Sequence, residues 1–276
     1  MPDLLRSCAL DVPMCVMRLV MLTGVVITSA ELVAARDVYS DRGLLAWRVL
    51  RYQFKWAMRG SGARIANWLM SEQHFAFLLV TRCGAAILLL VATVAGYAPV
   101  ALWIALVALT VAVNVRSHYG LDGAFQMNFI VMTAVMAIGI APSMLMTRIA
   151  LLFVSLELFL SYFIAGLAKL RSPTWRNGQA LRGIVSTHAY GLPMLGRGDL
   201  PLAAYAVVSW LVIGFECAAP LMLSGRREIV IPYLAFGALF HLGTAVIMGL
   251  NGFLFAFIAA YPAAWWTFSA CGSRPH

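Results

Sequence analysis

The sequence predicts an all-α fold: a polytopic transmembrane helical bundle of about eight spans, joined in part by interfacial helical connections. Three observations predict it. Of 276 residues, 62% are hydrophobic and 11% charged, against roughly 45–50% and about 25% in soluble domains. The apolar residues fall in blocks as long as the roughly 20 that a helix needs to cross a hydrocarbon core of about 30 Å. The charged residues are dispersed between those blocks, where juxtamembrane anchors sit. This pattern excludes a secreted domain, a cytosolic enzyme with a water-soluble core and a multi-domain receptor, and it puts any chemistry in or at the bilayer.

Span one is Met14 to Ala34, with Arg18 and Glu31 near its ends, where long side chains reach the interface. A signal peptide is the competing reading of residues 1–30, because Ile27-Thr28-Ser29-Ala30 resembles a small-residue cleavage site. The connection from Arg36 to Gln73 interleaves seven basic residues with Leu44, Leu45, Trp47, Leu50, Phe54 and Trp56, the composition of an interfacial helix. Spans two and three, His74 to Tyr97 and Ala101 to Val115, are separated by the turn-prone Gly96-Tyr97-Ala98-Pro99. Span four runs from Ala124 to Ala141 and is closed by Pro142; span five runs from Ile149 to Leu170. After a second long connection, Arg171 to Leu200, come span six (Pro201 to Leu223), span seven (Ile229 to Gly249) and span eight (Phe253 to Phe268). Gly249-Leu250-Asn251-Gly252 breaks the helix between the last two.

With the amino terminus outside, inner loops hold thirteen basic residues and outer ones five, Arg6, Arg148, Arg226, Arg227 and Arg274, which favours both termini outside. The net charge of +9 points to anionic lipid as partner, not nucleic acid. The five cysteines have no metal-ligand or redox spacing. They read as apolar filler, with a Cys8–Cys15 bridge as the alternative.

Span five is the most informative segment. Glu157 lies in its apolar middle and Lys169 at its far end, and ionisable residues inside a bilayer face a cavity or a partner. Twelve residues, about 18 Å of helix axis at 1.5 Å each, separate the two, so they do not pair with each other. Tyr162 and Lys169 share one face, Glu157 and Ser161 another, and Ala165 and Gly166 beside them admit a neighbouring helix or a flat ligand. Only Lys55 and Lys169 among the 20 basic residues are lysines. Lysine, unlike arginine, can give up its proton when desolvated, so Lys169 is either an anchor or a functional base. His241, in span seven, is either an interhelical hydrogen-bond partner or a catalyst. His118 and Asp122 form a base and its orienter or a solvated turn at a span end. Glu216 is a third buried acid with no partner evident in the sequence, and His74 and His188 read as interfacial.

Residues 161–180, SYFIAGLAKLRSPTWRNGQA, resemble the signature of the HTTM (vitamin K-dependent gamma-carboxylase-like) membrane family, in which Tyr-Phe-x-Ala-Gly-x-x-Lys-Leu is followed by Trp and Gly. Phe240-His241-Leu242-Gly243, with Met248-Gly249-Leu250 and Phe253, is similar to that family's later histidine helix, and Arg18 and Tyr39 to Leu45 to its opening pattern. The resemblance implies a single HTTM-like transmembrane domain over residues 1–276, a reduced quinone of the vitamin K or menaquinone type as cofactor, and no metal. It implies Lys169 as the base, with His118 and His241 as further catalytic residues. Tyr162, Gly166, Trp175 and Glu157 would hold the cofactor. The expected cavity is lined by spans three, five and seven. Trp175 follows the lysine one residue later than in animal carboxylases, and the sequence lacks the water-exposed carboxy-terminal region with which those enzymes recognise protein substrates. The size resembles that of short bacterial members similar to the sporulation-delaying toxin maturation protein B. That subgroup implies an inner-membrane protein with a small secreted peptide, or another maturation protein, as partner, and a non-catalytic maturation, export or immunity role as the alternative to an enzyme. The family's topology places the Lys169 end on the outer face, opposite to the charge count.

Overall fold

The computed structural model describes residues 2–117, 122–187 and 200–271, and among them there is no β-strand. Twelve α-helices run in chain order: α1 Pro2–Ala34, α2 Trp47–Leu50, α3 Ser61–Leu69, α4 Glu72–Val94, α5 Val100–Ser117, α6 Gly123–Ile140, α7 Met144–Arg171, α8 Pro173–Arg176, α9 Gln179–Val185, α10 Leu202–Cys217, α11 Arg227–Met248 and α12 Asn251–Cys271. Among the described residues seven helical segments are long and apolar enough to cross a membrane: Val12–Ala34, Glu72–Val94, Val100–Ser117, Gly123–Ile140, Met144–Arg171, Leu202–Ser224 and Arg227–Met248. The protein is therefore an all-α, integral membrane bundle. The segment expected as span eight lies within α12, which is not one of those seven.

Apolar attraction between helices is weak in lipid, so close packing of small residues holds a bundle together. α12 supplies them. Ala256, Ala259, Ala260, Ala263 and Ala264 recur at helical spacing and are at most 3% exposed. α12 packs against α1, α6, α7 and α11, so the first long helix and the last are neighbours at the centre. From α1 come Met17, Met21, Leu22 and Val25, all fully buried in the same core. Gly24 lets the chains meet: a Cβ there would lie 2.4 Å from Cβ of Phe255. Cys15, Cys83 and Cys217 are free thiols; the Cys8 side chain falls outside the described ones.

The helix ends follow local chemistry. Asp122 caps α6, its Oδ1 accepting from the Phe125 N–H at 2.7 Å, and Ser143 caps α7 through the Met146 N–H at 3.1 Å. Gly249, at φ +69, closes α11 in the left-handed region open to glycine, and α12 starts two residues later. The expected break is there, reduced to a tight turn. Span six is shorter than expected as an α-helix: α10 stops at Cys217 and the chain continues as a 3₁₀ turn, Ala219–Ser224, because Pro220 has no N–H to donate.

The connection over 36–73 is not one interfacial helix. It breaks into α2, α3 and the 3₁₀ turns Arg36–Tyr39, Arg51–Gln53 and Lys55–Ala57, with Gly60 at φ +90 forbidding a continuous helix. Its shape is set by Arg116, at the end of α5. The guanidinium is fully buried and donates to three carbonyls of this segment, Tyr39 at 2.6 Å, Met70 at 3.0 Å and Leu45. It also sits over the rings of Phe75 at 5.0 Å and Tyr39 at 5.4 Å. Trp47 Nε1 donates to Asn67 Oδ1 at 2.8 Å, and Asn67 Nδ2 to the Ala57 carbonyl at 3.0 Å, which fastens the segment to itself.

Hydrogen bonds from a charged donor contribute about 1.5–3 kcal/mol each. Arg116→Leu removes three of them and leaves the carbonyls without a donor. We expect it to lower the stability of the purified protein by about 3 kcal/mol or more, and to open residues 36–70 to limited proteolysis while the long helices remain protected.

Candidate functional site

The far half of α7 carries the polar residues. Tyr162, Gly166 and Lys169 lie within two turns on one side of the helix, and α10, α11 and α12 meet them there. Gly166 decides how close α10 comes. A Cβ on it would stand 2.7 Å from the Cys217 nitrogen and 2.9 Å from the Glu216 Cβ, so only glycine permits the contact. That approach brings Glu216 to Lys169. Nζ lies 2.7 Å from both carboxylate oxygens, with the lysine side chain 19% exposed and the glutamate 6%. Trp175, on α8, places its ring 5.2 Å from the same Nζ. Glu216 thus has a partner that the sequence did not reveal, and Lys169 is neither a lone anchor nor an isolated base.

One to two turns deeper, Tyr162 Oη lies 2.8 Å from His241 Nε2 and 2.7 Å from Tyr261 Oη. The three are buried at 3%, 3% and 8% exposure. His241 stacks on Phe257 at 4.4 Å, and Phe215 meets the edge of Tyr162 at 5.0 Å. Room for the Tyr261 hydroxyl is left by Gly237, one turn before His241, where a Cβ would be 2.4 Å from Oη. Whichever ring nitrogen of His241 carries the hydrogen, its buried Nδ1 has no partner.

Lys169, Glu216, Tyr162 and His241 stand on the wall of one cavity of about 690 Å³, whose lining also includes Glu157, Ser161, Trp175, Phe240, Phe253 and Phe257, while Tyr261 lies behind it. Of the residues nominated from the sequence, Lys169, His241, Tyr162, Trp175 and Glu157 share this cavity. Glu157 is half-buried and has no hydrogen-bond or ion-pair partner among the described residues. Gly166 is not in the lining. It works behind the wall, as the contact between α7 and α10. His118 lies outside the described residues, and so does His188. The expectation of a cavity lined by spans three, five and seven is corrected: α7 and α11 line it, but the rest comes from α6, α8, α9, α10 and α12, and no described residue of α5 takes part. Span three is instead directed to the Arg116 clasp and to a separate, smaller cavity.

No family model, curated protein or solved structure matches this chain. The site is therefore read from its own chemistry: a carboxylate–ammonium pair and an imidazole–phenol–phenol chain, on a mostly apolar, aromatic wall that also carries Glu157 and Ser161.

Tyrosine 261 is the member that sequence reasoning missed. Its signal was a lone phenol between two pairs of alanines in an apolar span, where a buried hydroxyl needs a partner. Tyr162→Phe removes both hydrogen bonds and should cost about 1–3 kcal/mol, read as a lowered unfolding midpoint in detergent. Gly237→Ala should give a loss of the same order by displacing Tyr261, although it touches neither His241 nor Tyr162.

Proposed function

We propose that this integral membrane protein is an enzyme of the carboxylase-like, quinone-dependent kind, acting on an exported peptide or lipid-like substrate. The observation that carries the reading is the Lys169–Glu216 pair on the wall of the 690 Å³ cavity, a volume within the roughly 300–1,000 Å³ typical of sites for small ligands. The fit to a reduced quinone rests on Phe240, Phe253, Phe257 and Trp175, which offer faces to a flat ring, and on the unpartnered His241 Nδ1, which suits an oxygen or hydroxyl of the ligand. Bound there, such a group supplies redox chemistry that no side chain of the cavity has.

The chain's own residues hold and move protons. Lys169 acts as a base only from its neutral amine, with Glu216 ionised as a carboxylate 2.7 Å away. Taking a proton at Nζ then leaves ammonium facing carboxylate, so the new charge forms beside its counter-charge and not alone in the membrane. Tyr162, itself held by Tyr261, fixes the His241 ring, and Glu157 stands on the wall as an acceptor.

One observation favours a second reading, a non-catalytic factor for the maturation, export or immunity of a secreted peptide. The Gly166 contact and the two-oxygen grip on Lys169 also describe a fastening between α7 and α10. Lys169→Arg separates the two readings, since arginine keeps the charge and cannot serve as the base. The enzyme reading expects Lys169→Arg and Lys169→Ala to reach the membrane at parental levels and both to fail to restore the phenotype of a gene deletion. It also expects quinone to be extracted from the purified parent and identified by mass spectrometry. Restoration by Lys169→Arg, or by the exchange of Lys169→Glu with Glu216→Lys, would leave the pair as a fastening and remove the base.

A further inference from the structure

Arg82 stands in the middle of α4, ten residues and about 15 Å from its start. It is 4% exposed. Its Nε donates to Thr110 Oγ1 at 3.2 Å and its Nη1 to Ser29 Oγ at 3.1 Å, two neutral hydroxyls. Among the described residues no carboxylate lies within ion-pair distance of it, the one ion pair being Lys169–Glu216. Arginine stays protonated in proteins, and a charge buried at this depth without a counter-charge is unfavourable by several kcal/mol.

The guanidinium borders a cavity of about 190 Å³, distinct from the larger one. Its polar wall is ordered. Thr110, Asn114 and Ser117 follow one another at spacings of four and three, a stripe along α5 from Arg82 to the end of that helix. Asn128 of α6 and Thr28 of α1 face the same space. The side-chain amides of Asn114 and Asn128 make no hydrogen bond to another described residue. The first turns of α6 and α12 also border it, through Ala124, Phe125, Gly252 and Phe255, and bring the positive ends of two helices to it. Asp122, which also lines the cavity, accepts from the Phe125 N–H and caps α6.

We propose that this cavity is a binding site for a small free oxyanion, a carboxylate or an inorganic anion of similar size, with Arg82 as its counter-charge and Asn114 and Asn128 as further donors. The stripe on α5 is its polar path from the membrane surface. A phospholipid headgroup stays in the interface, whereas Arg82 lies at mid-span, so the occupant is the free anion.

The test uses the full chain purified in detergent, with thermal unfolding followed by tryptophan fluorescence while sodium formate replaces a bulky sulfonate salt at constant ionic strength. The parent should show a saturable rise in midpoint with formate. Arg82→Gln should abolish it, and Asn128→Leu, which narrows the cavity and leaves Arg82 in place, should weaken apparent affinity at least tenfold. Asn128→Leu keeps the test decisive if Arg82→Gln fails to accumulate. A parent that does not respond to formate, or a response unchanged in either variant, would overturn the site. A rise produced by anionic lipid in nanodiscs but not by formate would overturn the free-anion assignment.

Discussion

Dispersion packing is the main attraction available between apolar helices that already lie in hydrocarbon, and it falls off within an ångström of contact. The bundle meets this constraint at α12, where five buried alanines make a smooth surface for α1, α6, α7 and α11. Larger side chains there would hold those four helices apart, and the polar groups they carry would lose their partners. The glycines serve the same end. Gly24 admits Phe255, Gly166 admits α10, and Gly237 admits the Tyr261 hydroxyl.

Polar groups inside the membrane are satisfied in three different ways, and the differences carry the functional argument. Arg116 is matched by backbone carbonyls and organises the chain between α1 and α4. Lys169 is matched by a carboxylate, so the pair is neutral as a whole and borders a cavity wide enough for a ligand. Arg82 is matched only by hydroxyls, which leaves its charge uncompensated. A guanidinium fixed by carbonyls is structural, a paired lysine at a cavity is suited to proton transfer, and an uncompensated guanidinium at a cavity is suited to an anion.

The helical, membrane-spanning class was legible in the sequence because hydrocarbon thickness dictates the length of each apolar block. Lys169, Tyr162 and Glu157 were legible as candidates for a related reason: a polar residue in an apolar run has to be accounted for. Helix neighbours were not legible. Nothing in the run around Glu216 says that α10 lies against α7, and the pairing depends on a single missing Cβ at Gly166. Arg82 passed unremarked in a long apolar block, since a single arginine there has the same appearance whether it snorkels or turns inward. The connection over 36–73 had the right composition for the interface, but its course follows from three carbonyls collected by a residue far along the chain.

The central position of α12 bears on how the bundle is made. A ribosome delivers α1 early and α12 after every other helix described, yet these two are neighbours at the centre. During synthesis the faces of α1, α6, α7 and α11 that end on alanine must rest against lipid or an insertion factor. The site elements inherit this order, since Tyr162 and His241 enter the membrane before Tyr261, the hydroxyl that completes their chain. Assembly of the cavity wall is thereby coupled to the insertion of α12, so a chain that stops before α12 presents an open slot in place of a formed cavity.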